Sequence, residues 1–210
     1  LERSANYFDY TVDIEAISQR IHAHIQQHKS TQDLKIRLLL NELGDVEISS
    51  EALAETPLSN CYSTASSEIP ITHGNALSRL PKVYLSPLTI DENNLFRLHK
   101  STNRALYNSA YAVAEADGFY DVLFLNQNNT LAEASRHNLF IEQKGVLYTP
   151  PLSDGALPGI MRDELLAQQD CDVIEKSITL ESLEQAERVY VCNSVRGLVE
   201  VEFISQKQLL

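Results

Sequence analysis

The stretch Leu131-Ala-Glu-Ala-Ser-Arg-His-Asn-Leu-Phe140 places one acidic residue, Glu133, among small and apolar neighbours. Its pattern is that of a half-buried β-strand. A carboxylate buried in such a strand requires a cationic partner or a cationic ligand, because an unpaired charge is costly to remove from water. The other interpretation is an exposed glutamate on an edge strand. The stretch therefore predicts a strand with one candidate binding residue and leaves both interpretations of that residue open.

Further short strands and two helices are predicted around this stretch. Four segments separated by tight polar turns predict an antiparallel meander: Tyr120–Asn126, Leu131–Ser135, Asn138–Gln143 and Val146–Thr149. Helices are expected over 103–117 and from Pro158-Gly159 through Gln169, because turn and capping residues flank both. Another buried strand is expected at Arg188–Cys192. This part of the chain is therefore predicted to mix α and β structure.

Three further motifs carry candidate functional groups. In His99-Lys-Ser-Thr-Asn-Arg104, a lysine at a strand-to-helix junction is either a Schiff-base nucleophile with a lowered pKa or a solvated helix-start residue. In Leu157-Pro-Gly-Ile-Met-Arg162, a glycine at a helix start either frees backbone N–H groups for an anion or only forms a turn. In Cys192-Asn-Ser194, the serine hydroxyl either adds a donor to the same anion or belongs to a polar strand end. Each signal is weak when it is taken alone.

Taken together, these motifs follow the order and spacing of a known family. With Tyr148-Thr-Pro-Pro151 between them, they make the segment from Lys82 to Val201 resemble the fold-type IV pyridoxal-phosphate enzymes. That group contains branched-chain and D-amino-acid aminotransferases and 4-amino-4-deoxychorismate lyase. The resemblance implies an α+β (mixed α/β), two-domain fold of the D-amino-acid aminotransferase type. A small N-terminal α/β domain would precede a larger β-rich domain with flanking helices.

The resemblance also implies a cofactor, pyridoxal 5'-phosphate, and the residues that hold it. Lys100 is implied to form the Schiff base and to move protons, and Glu133 to pair with the pyridine nitrogen and keep it protonated. The remaining implied contacts lie around the phosphate group, at a helix N-terminus and a strand end. They are the backbone at Ile160 and Met161, the Ser194 side chain and Asn193.

Within the group, the sequence resembles the lyases more than the aminotransferases. The run Asn103-Arg104 after the lysine, followed by Tyr107, is similar to the Lys-x-x-Asn-Arg run of the lyases. The implied reaction is the elimination of pyruvate from 4-amino-4-deoxychorismate, which gives 4-aminobenzoate for folate biosynthesis. The alternatives are an aminotransferase acting on branched-chain or D-amino acids and a degenerate, non-catalytic fold-type IV protein. Arg196 would bind a substrate carboxylate or form a structural salt bridge.

Two domains of unequal size are expected. Residues 1–76 would form the small N-terminal domain, incomplete at its start, with a helix over 14–28 capped by Asp13 and strands at 33–40 and 46–49. Residues 77–210 would form the cofactor-binding domain, and the loop over 56–82 would be either a lid or a surface loop. By the resemblance, a phosphate-contacting arginine falls one position before Leu1. Arg3 stands too late to be its equivalent, so the chain is expected to begin inside a longer polypeptide.

Composition limits the partners and the location. The formal net charge of −12 disfavours a reader of nucleic-acid phosphates and a binder of anionic membranes. No apolar run approaches the ~20 residues that cross a bilayer. Three cysteines without metal-ligand spacing predict reduced thiols, a cytoplasmic location and no metal site. The expected partners are a small-molecule substrate and, by resemblance, a second copy in a homodimer. Aminodeoxychorismate synthase, fused to the chain or working beside it, is a further possibility.

Overall fold

The structure is a computed structural model that describes residues 1–28, 33–53, 79–168 and 172–205. The chain divides into two compact units, Leu1–Thr56 and Pro57–Leu210. The predicted boundary at residues 76 and 77 lies outside the described residues, as does most of the predicted 56–82 loop. None of the described helices is long and apolar enough to cross a bilayer.

The described part of the first unit contains two helices and one β-hairpin. Its helices are α1 (Glu2–Tyr7) and α2 (Ile14–Gln27), and its strands are β1 (Leu34–Leu40) and β2 (Val46–Ala52). The predicted cap of α2 is confirmed, since the Asp13 carboxylate accepts a 2.9 Å hydrogen bond from the Ala16 N–H. The strands pair antiparallel from Leu34 opposite Ala52 to Leu40 opposite Val46. The predicted helix and the two predicted strands are therefore confirmed, with β2 three residues longer than expected, whereas α1 was not predicted.

Among its described residues, the second unit holds a nine-stranded sheet and three α-helices. Its helices are α3 (Ala105–Ala116), α4 (Ile160–Ala167) and α5 (Leu180–Glu184), with 3₁₀ turns at Leu95–Leu98 and Leu152–Asp154. Its strands are β3 (Lys82–Leu85), β4 (Asp121–Leu125), β5 (Thr130–Ala134), β6 (Asn138–Gln143), β7 (Val146–Thr149), β8 (Val173–Glu175), β9 (Ile178–Thr179), β10 (Arg188–Asn193) and β11 (Gly197–Ile204). The predicted strands and helices of this part are present, with bounds that shift by a few residues.

The sheet order corrects the predicted meander. The strands lie in the order β8-β7-β6-β10-β11-β3-β4-β5-β9, so the four consecutive strands form two separate hairpins, β4–β5 and β6–β7. The middle strand pairing of the expected meander, β5 with β6, is absent from the described ladders because β6 pairs with β10 instead. Only Ser135, Arg136 and His137 connect β5 to β6, although four strands separate them in the sheet. The sheet therefore curls back on itself.

The curled sheet has one apolar interior and two covered outer faces. Alternate residues of β3, β4, β5, β6, β10 and β11 share the interior cluster, in which Leu131 and Leu139 lie together. Met161 and Leu165 of α4 pack with Phe140, Tyr190 and Cys192 on one outer face. On the other, α3 covers β4 and β5 through a separate cluster. Because strand side chains alternate between faces, this arrangement buries both sides of the central strands.

Candidate active site

Glu133 lies near the end of β5, with 6% of the residue exposed. Its Oε1 accepts a 2.7 Å hydrogen bond from the Tyr107 hydroxyl and lies 3.2 Å from Arg97 Nη2. Its Oε2 accepts a 2.8 Å hydrogen bond from the Leu157 N–H. An ionised carboxylate offers about four acceptor positions. Three donors therefore fix this side chain and leave it able to accept one more hydrogen bond.

The groups around Glu133 shift the pKa of its carboxyl group in opposite directions. Burial raises the pKa of the carboxyl above its ordinary value and is the largest influence. The hydrogen bonds from Tyr107 and from the Leu157 N–H, and the charges of Arg97 and Arg104, lower the same pKa. The interpretation of Glu133 as an exposed edge residue is wrong. It is a buried carboxylate whose ionised form depends on the cations and donors around it.

Lys100 precedes α3, as expected from the sequence, but it follows the 3₁₀ turn Leu95–Leu98 rather than the expected strand. The residue is exposed to solvent, yet the protein around its amine lowers its pKa by desolvation. The positive charge of Arg104 lowers this pKa further, whereas the negative charge of Glu133 raises it. A lowered pKa places more of the amine in its neutral, nucleophilic form. The structure thus brings Lys100 and Glu133 within electrostatic reach of each other.

A pocket of about 450 Å³ opens beside Glu133. Its walls include Arg97, Arg104, Tyr107, Glu133 and Leu157. The chain neighbours of Lys100 on both sides, His99 and Ser101, also line it. Such a volume falls within the range of pockets for small molecules and cofactors.

The helix α4 begins beside this pocket with its backbone donors uncapped. Its N-cap is Gly159, and no side chain of the described residues caps the helix start. The N–H groups at Ile160 and Met161 therefore belong to a first turn that suits an anion. The side chain of Asn138 donates a 2.9 Å hydrogen bond to the Leu157 carbonyl. A Cβ at Gly159 would lie 2.2 Å from Asn138 Oδ1, so only glycine allows this approach.

The strand end at Asn193 and Ser194 is shaped by a turn. Asn193 Oδ1 accepts hydrogen bonds from the Val195 and Arg196 N–H groups, and its Nδ2 donates to the Arg136 carbonyl at 3.2 Å. Cys192 pairs with Asn138 across the β10–β6 ladder and packs with Met161, which brings this turn near the start of α4. Ser194 is exposed, and Arg196 is half-buried. Contacts of Asn193, Ser194 and Arg196 with a cofactor or substrate stay predictions.

Several residues that organise the site were not predicted from the sequence. Asp121 is fully buried and accepts hydrogen bonds from the Ser135 and Arg136 N–H groups and from His137 Nδ1 at 2.6 Å. The backbone carbonyls of Ser135 and Arg136 accept hydrogen bonds from the Arg104 and Asn193 side chains, respectively. The signal in the sequence was an acid at the start of an apolar strand, as with Glu133. Arg97 gave no comparable signal, because it stands among mixed residues in a short irregular segment.

The comparison with protein families decides the class. The model of the family described as amino-transferase class IV matches residues 1–204. The chain belongs to this family. Its members use pyridoxal 5'-phosphate, so the predicted cofactor is confirmed for the family, whose solved structures include a cofactor-bound form. The family also confirms that the chain comes from a group of enzymes.

Individual relatives agree with the class and divide between two activities. The chain is 31% identical over 99 residues to a branched-chain-amino-acid aminotransferase of Escherichia coli strain K12, covering 46% of this chain and 32% of that protein. It is 35% identical over 112 residues to an aminodeoxychorismate lyase of Vibrio harveyi, covering 51% and 41%. The chain thus spans less than half the length of these curated relatives.

A solved structure confirms the predicted fold. The structure of a putative amino-acid aminotransferase from Mesorhizobium loti superposes with a TM-score of 0.78 at 24% identity, covering 97% of this chain and 87% of that one. The α+β fold expected from the sequence is therefore confirmed.

The residues present fit pyridoxal phosphate. The described residues supply a buried carboxylate with a free acceptor position, an amine with a lowered pKa and a helix start without a cap. These groups are the ones that a protonated pyridine nitrogen, an aldehyde and a phosphate require.

Proposed function

We propose that this chain forms the cofactor-binding part of a lyase that eliminates pyruvate from 4-amino-4-deoxychorismate to give 4-aminobenzoate. In this proposal Lys100 is the catalytic residue, and Glu133 binds the pyridine nitrogen. The phosphate group is held by the backbone at Ile160 and Met161, by Ser194 and by Asn193. In the same proposal the small N-terminal domain ends at residue 76 and the cofactor-binding domain begins at residue 77.

The position of Arg104 favours the lyase. This residue belongs to the Asn103-Arg104 run that resembles the lyases, and it lines the pocket beside Lys100. Its guanidinium lies 4.7 Å from the centre of the Tyr107 ring, and it also bonds to the Ser135 carbonyl. 4-Amino-4-deoxychorismate carries two carboxylates, and a guanidinium is the side-chain group best matched to a carboxylate. A permanent positive charge at the pocket wall therefore suits this substrate, and Arg196 would supply a second one.

The chain's own residues account for the proton transfers. Bound pyridoxal phosphate supplies an electron sink next to the substrate amine. Lys100 removes the proton from the amine-bearing carbon, and the bond from the neighbouring carbon to the enolpyruvyl oxygen breaks. The same proton is returned to the departing enolpyruvate, which becomes pyruvate, and the ring becomes aromatic. Glu133 holds a proton on the pyridine nitrogen throughout, because its ionised form accepts that hydrogen bond.

The wider setting follows from the same proposal. The protein that carries this chain acts on a small molecule as a cytoplasmic homodimer in folate biosynthesis. It acts after aminodeoxychorismate synthase, either fused to it or beside it.

The test is the release of pyruvate from enzymatically generated 4-amino-4-deoxychorismate. The protein that carries this chain is loaded with pyridoxal phosphate, and pyruvate is followed with a coupled dehydrogenase. We expect release by the wild type and a loss of at least about a thousandfold in Lys100→Ala, which lacks the proton-transferring amine. Equal rates in the two proteins would exclude the assigned role of Lys100.

A second candidate is a branched-chain aminotransferase. The E. coli relative named above favours it, since its identity of 31% is close to the 35% of the lyase. An aminotransferase converts its cofactor to the amine form with an amino acid alone. The change in cofactor absorbance on addition of leucine, without a second substrate, therefore separates the two activities. A complete change with leucine and no pyruvate from 4-amino-4-deoxychorismate would replace the lyase by the aminotransferase.

A further inference from the structure

Arg97 lies three residues before Lys100, in the 3₁₀ turn Leu95–Leu98. Its side chain is 7% exposed and forms an ion pair with Glu133, whose side chain is equally buried. Arg97 Nη2 lies 3.2 Å from Glu133 Oε1, and Arg97 Nε donates a 2.9 Å hydrogen bond to the Gly155 carbonyl. The guanidinium also lies 5.3 Å from the centre of the Tyr107 ring. One cation thus contacts several walls of the pocket.

These contacts close a ring of bonds through three segments of the chain. Gly155 stands two residues before Leu157, whose N–H donates to the other oxygen of Glu133. The backbone of Gly155 has φ +97°, and a Cβ there would lie 3.1 Å from Arg97 Nε. The turn before α4 is therefore shaped to the guanidinium. Arg97 links the Lys100 segment, β5 and the segment that leads to the α4 N-terminus.

We propose that Arg97 is a positioning residue that keeps the Glu133 carboxylate ionised and aimed at the pyridine nitrogen of the cofactor. The inference rests on the proposed pyridoxal-phosphate site. Arg97 and Tyr107 occupy Oε1, and the Leu157 N–H occupies one position of Oε2, so the free acceptor position has one orientation. A lysine could not replace Arg97 fully, since only a guanidinium presents several donors in a planar fork.

The ionised state has a measurable consequence for cofactor binding. The charged groups facing Glu133 are Arg97 and Arg104, and the Lys100 amine lies within electrostatic reach. Tyr107 adds a hydroxyl donor. An ionised carboxylate accepts a protonated pyridine without a change in bound protons. A carboxyl that is already protonated must release a proton to share the one on the nitrogen. By linkage, binding to the protonated form weakens as the pH falls.

The experiment compares three variants in the full-length protein that carries this chain. Arg97→Met removes the charge and keeps an apolar stem. Arg97→Lys keeps the charge without the fork. Arg188→Met is the matched control, because Arg188 pairs with Glu142 and Glu200 at the surface, with its side chain 41% exposed. The dissociation constant of pyridoxal phosphate is measured by absorbance titration of each apoprotein from mildly acidic to mildly alkaline pH.

We expect Arg97→Met to weaken cofactor binding about tenfold at mildly acidic pH, the effect of losing one hydrogen bond to a charged group. The ratio of its dissociation constant to that of the wild type should fall as the pH rises, because Glu133 then ionises without help. In Arg97→Lys binding should also weaken, but with a ratio that does not change with pH. Arg188→Met should bind as the wild type does.

If Arg97 had a merely structural role, the ratio of the Arg97→Met dissociation constant to that of the wild type would be the same at every pH. That result would overturn the inference. If Arg97→Met does not fold, the inference is tested with Arg97→Lys. A dissociation constant equal to that of the wild type at all pH values would then overturn the inference. Binding of pyridoxal phosphate by the wild type shows whether the role of Arg97 alone is refuted or the proposed function as well. A wild type without affinity for pyridoxal phosphate refutes both, whereas unchanged variants of a binding wild type refute only the role of Arg97.

Discussion

The two ends of the candidate cofactor site are built in different ways. At the Glu133 end, which comprises Arg97, Tyr107, Glu133 and Leu157, side chains satisfy a buried charge. At the α4 end, which comprises Asn138, Gly159 and the first turn of α4, the binding groups are backbone N–H donors. Charge fixes the first end, and the close approach of the backbone fixes the second.

This difference determines how each end of the site responds to a substitution. Loss of a charge at the Glu133 end leaves its partner buried and unpaired, which costs stability as well as binding. At the α4 end the binding groups belong to every residue type, so only changes that move the backbone matter. Mutations at the first end should therefore have larger effects on folding, and mutations at the second end should affect cofactor affinity.

The largest effect is expected for Glu133→Gln. This change leaves the Arg97 guanidinium without its ionised partner and should lower the free energy of unfolding of the apoprotein by about 3 kcal/mol. Urea unfolding followed by circular dichroism measures it. The matched control is Glu51→Gln, which breaks an exposed pair with Lys35 and should cost less than about 1 kcal/mol. Equal costs at the two sites would refute the account of the Glu133 end.

Gly159→Ala should act mainly on cofactor affinity. Its new Cβ would collide with Asn138 Oδ1, displace the start of α4 and raise the dissociation constant of pyridoxal phosphate about tenfold. Absorbance titration measures this constant. In an Asn138→Ala background the obstructing oxygen is gone, so the same substitution should weaken binding less. If the two substitutions have additive effects on the free energy of pyridoxal-phosphate binding, the Asn138 oxygen is not the group that excludes a side chain at residue 159.

A smaller effect is expected for Ser194→Ala. The loss of one hydroxyl donor to the phosphate should weaken pyridoxal-phosphate binding about fivefold, in line with a single hydrogen bond. Pyridoxal without its phosphate should bind both proteins equally. Ser109→Ala is the control, because Ser109 is exposed on α3 and bonds to the Leu106 carbonyl. A loss of pyridoxal affinity equal to the loss for the phosphate form would show that Ser194 does not contact the phosphate.

The smallest effects concern the pH dependence of Lys100. Since the charge of Arg104 lowers the pKa of this amine and that of Glu133 raises it, the two neutralising variants should act in opposite directions. The rate at which the apoprotein amine reacts with pyridoxal is measured against pH. Arg104→Gln should move the midpoint to higher pH and Glu133→Gln to lower pH. Shifts of the same sign would contradict the arrangement of charges around Lys100.

The sequence predicted those elements that depend on neighbouring residues. Periodicity and capping placed α2, α3 and α4, and Asp13 caps α2 as expected. The family motifs placed Lys100 and Glu133 near one pocket, although the pattern around Glu133 taken alone was also compatible with an exposed edge strand. Burial of that carboxylate depends on partners that lie 26 and 36 residues away, Tyr107 and Arg97.

The local sequence patterns could not predict which distant strands pair. Nothing in the tight turns showed that β6 leaves β5 and pairs with β10, because both arrangements satisfy the same alternation of side chains. The bonds of Arg97 were missed for the same reason, since a charged residue in a short irregular segment is ordinarily exposed. The side chain of Asn193 is bonded within its own turn and to Arg136, and its contact with the cofactor stays a prediction.

The most direct test of the central claim is to find where the cofactor attaches. The protein that carries this chain is incubated with pyridoxal phosphate and reduced with borohydride, which makes a Schiff-base linkage permanent, and its peptides are then sequenced by mass spectrometry. Because the Lys100 amine has a lowered pKa and lies within electrostatic reach of Glu133, we predict the phosphopyridoxyl group on Lys100 alone. A label on another lysine, or an equal label in Lys100→Ala, would contradict the site described above.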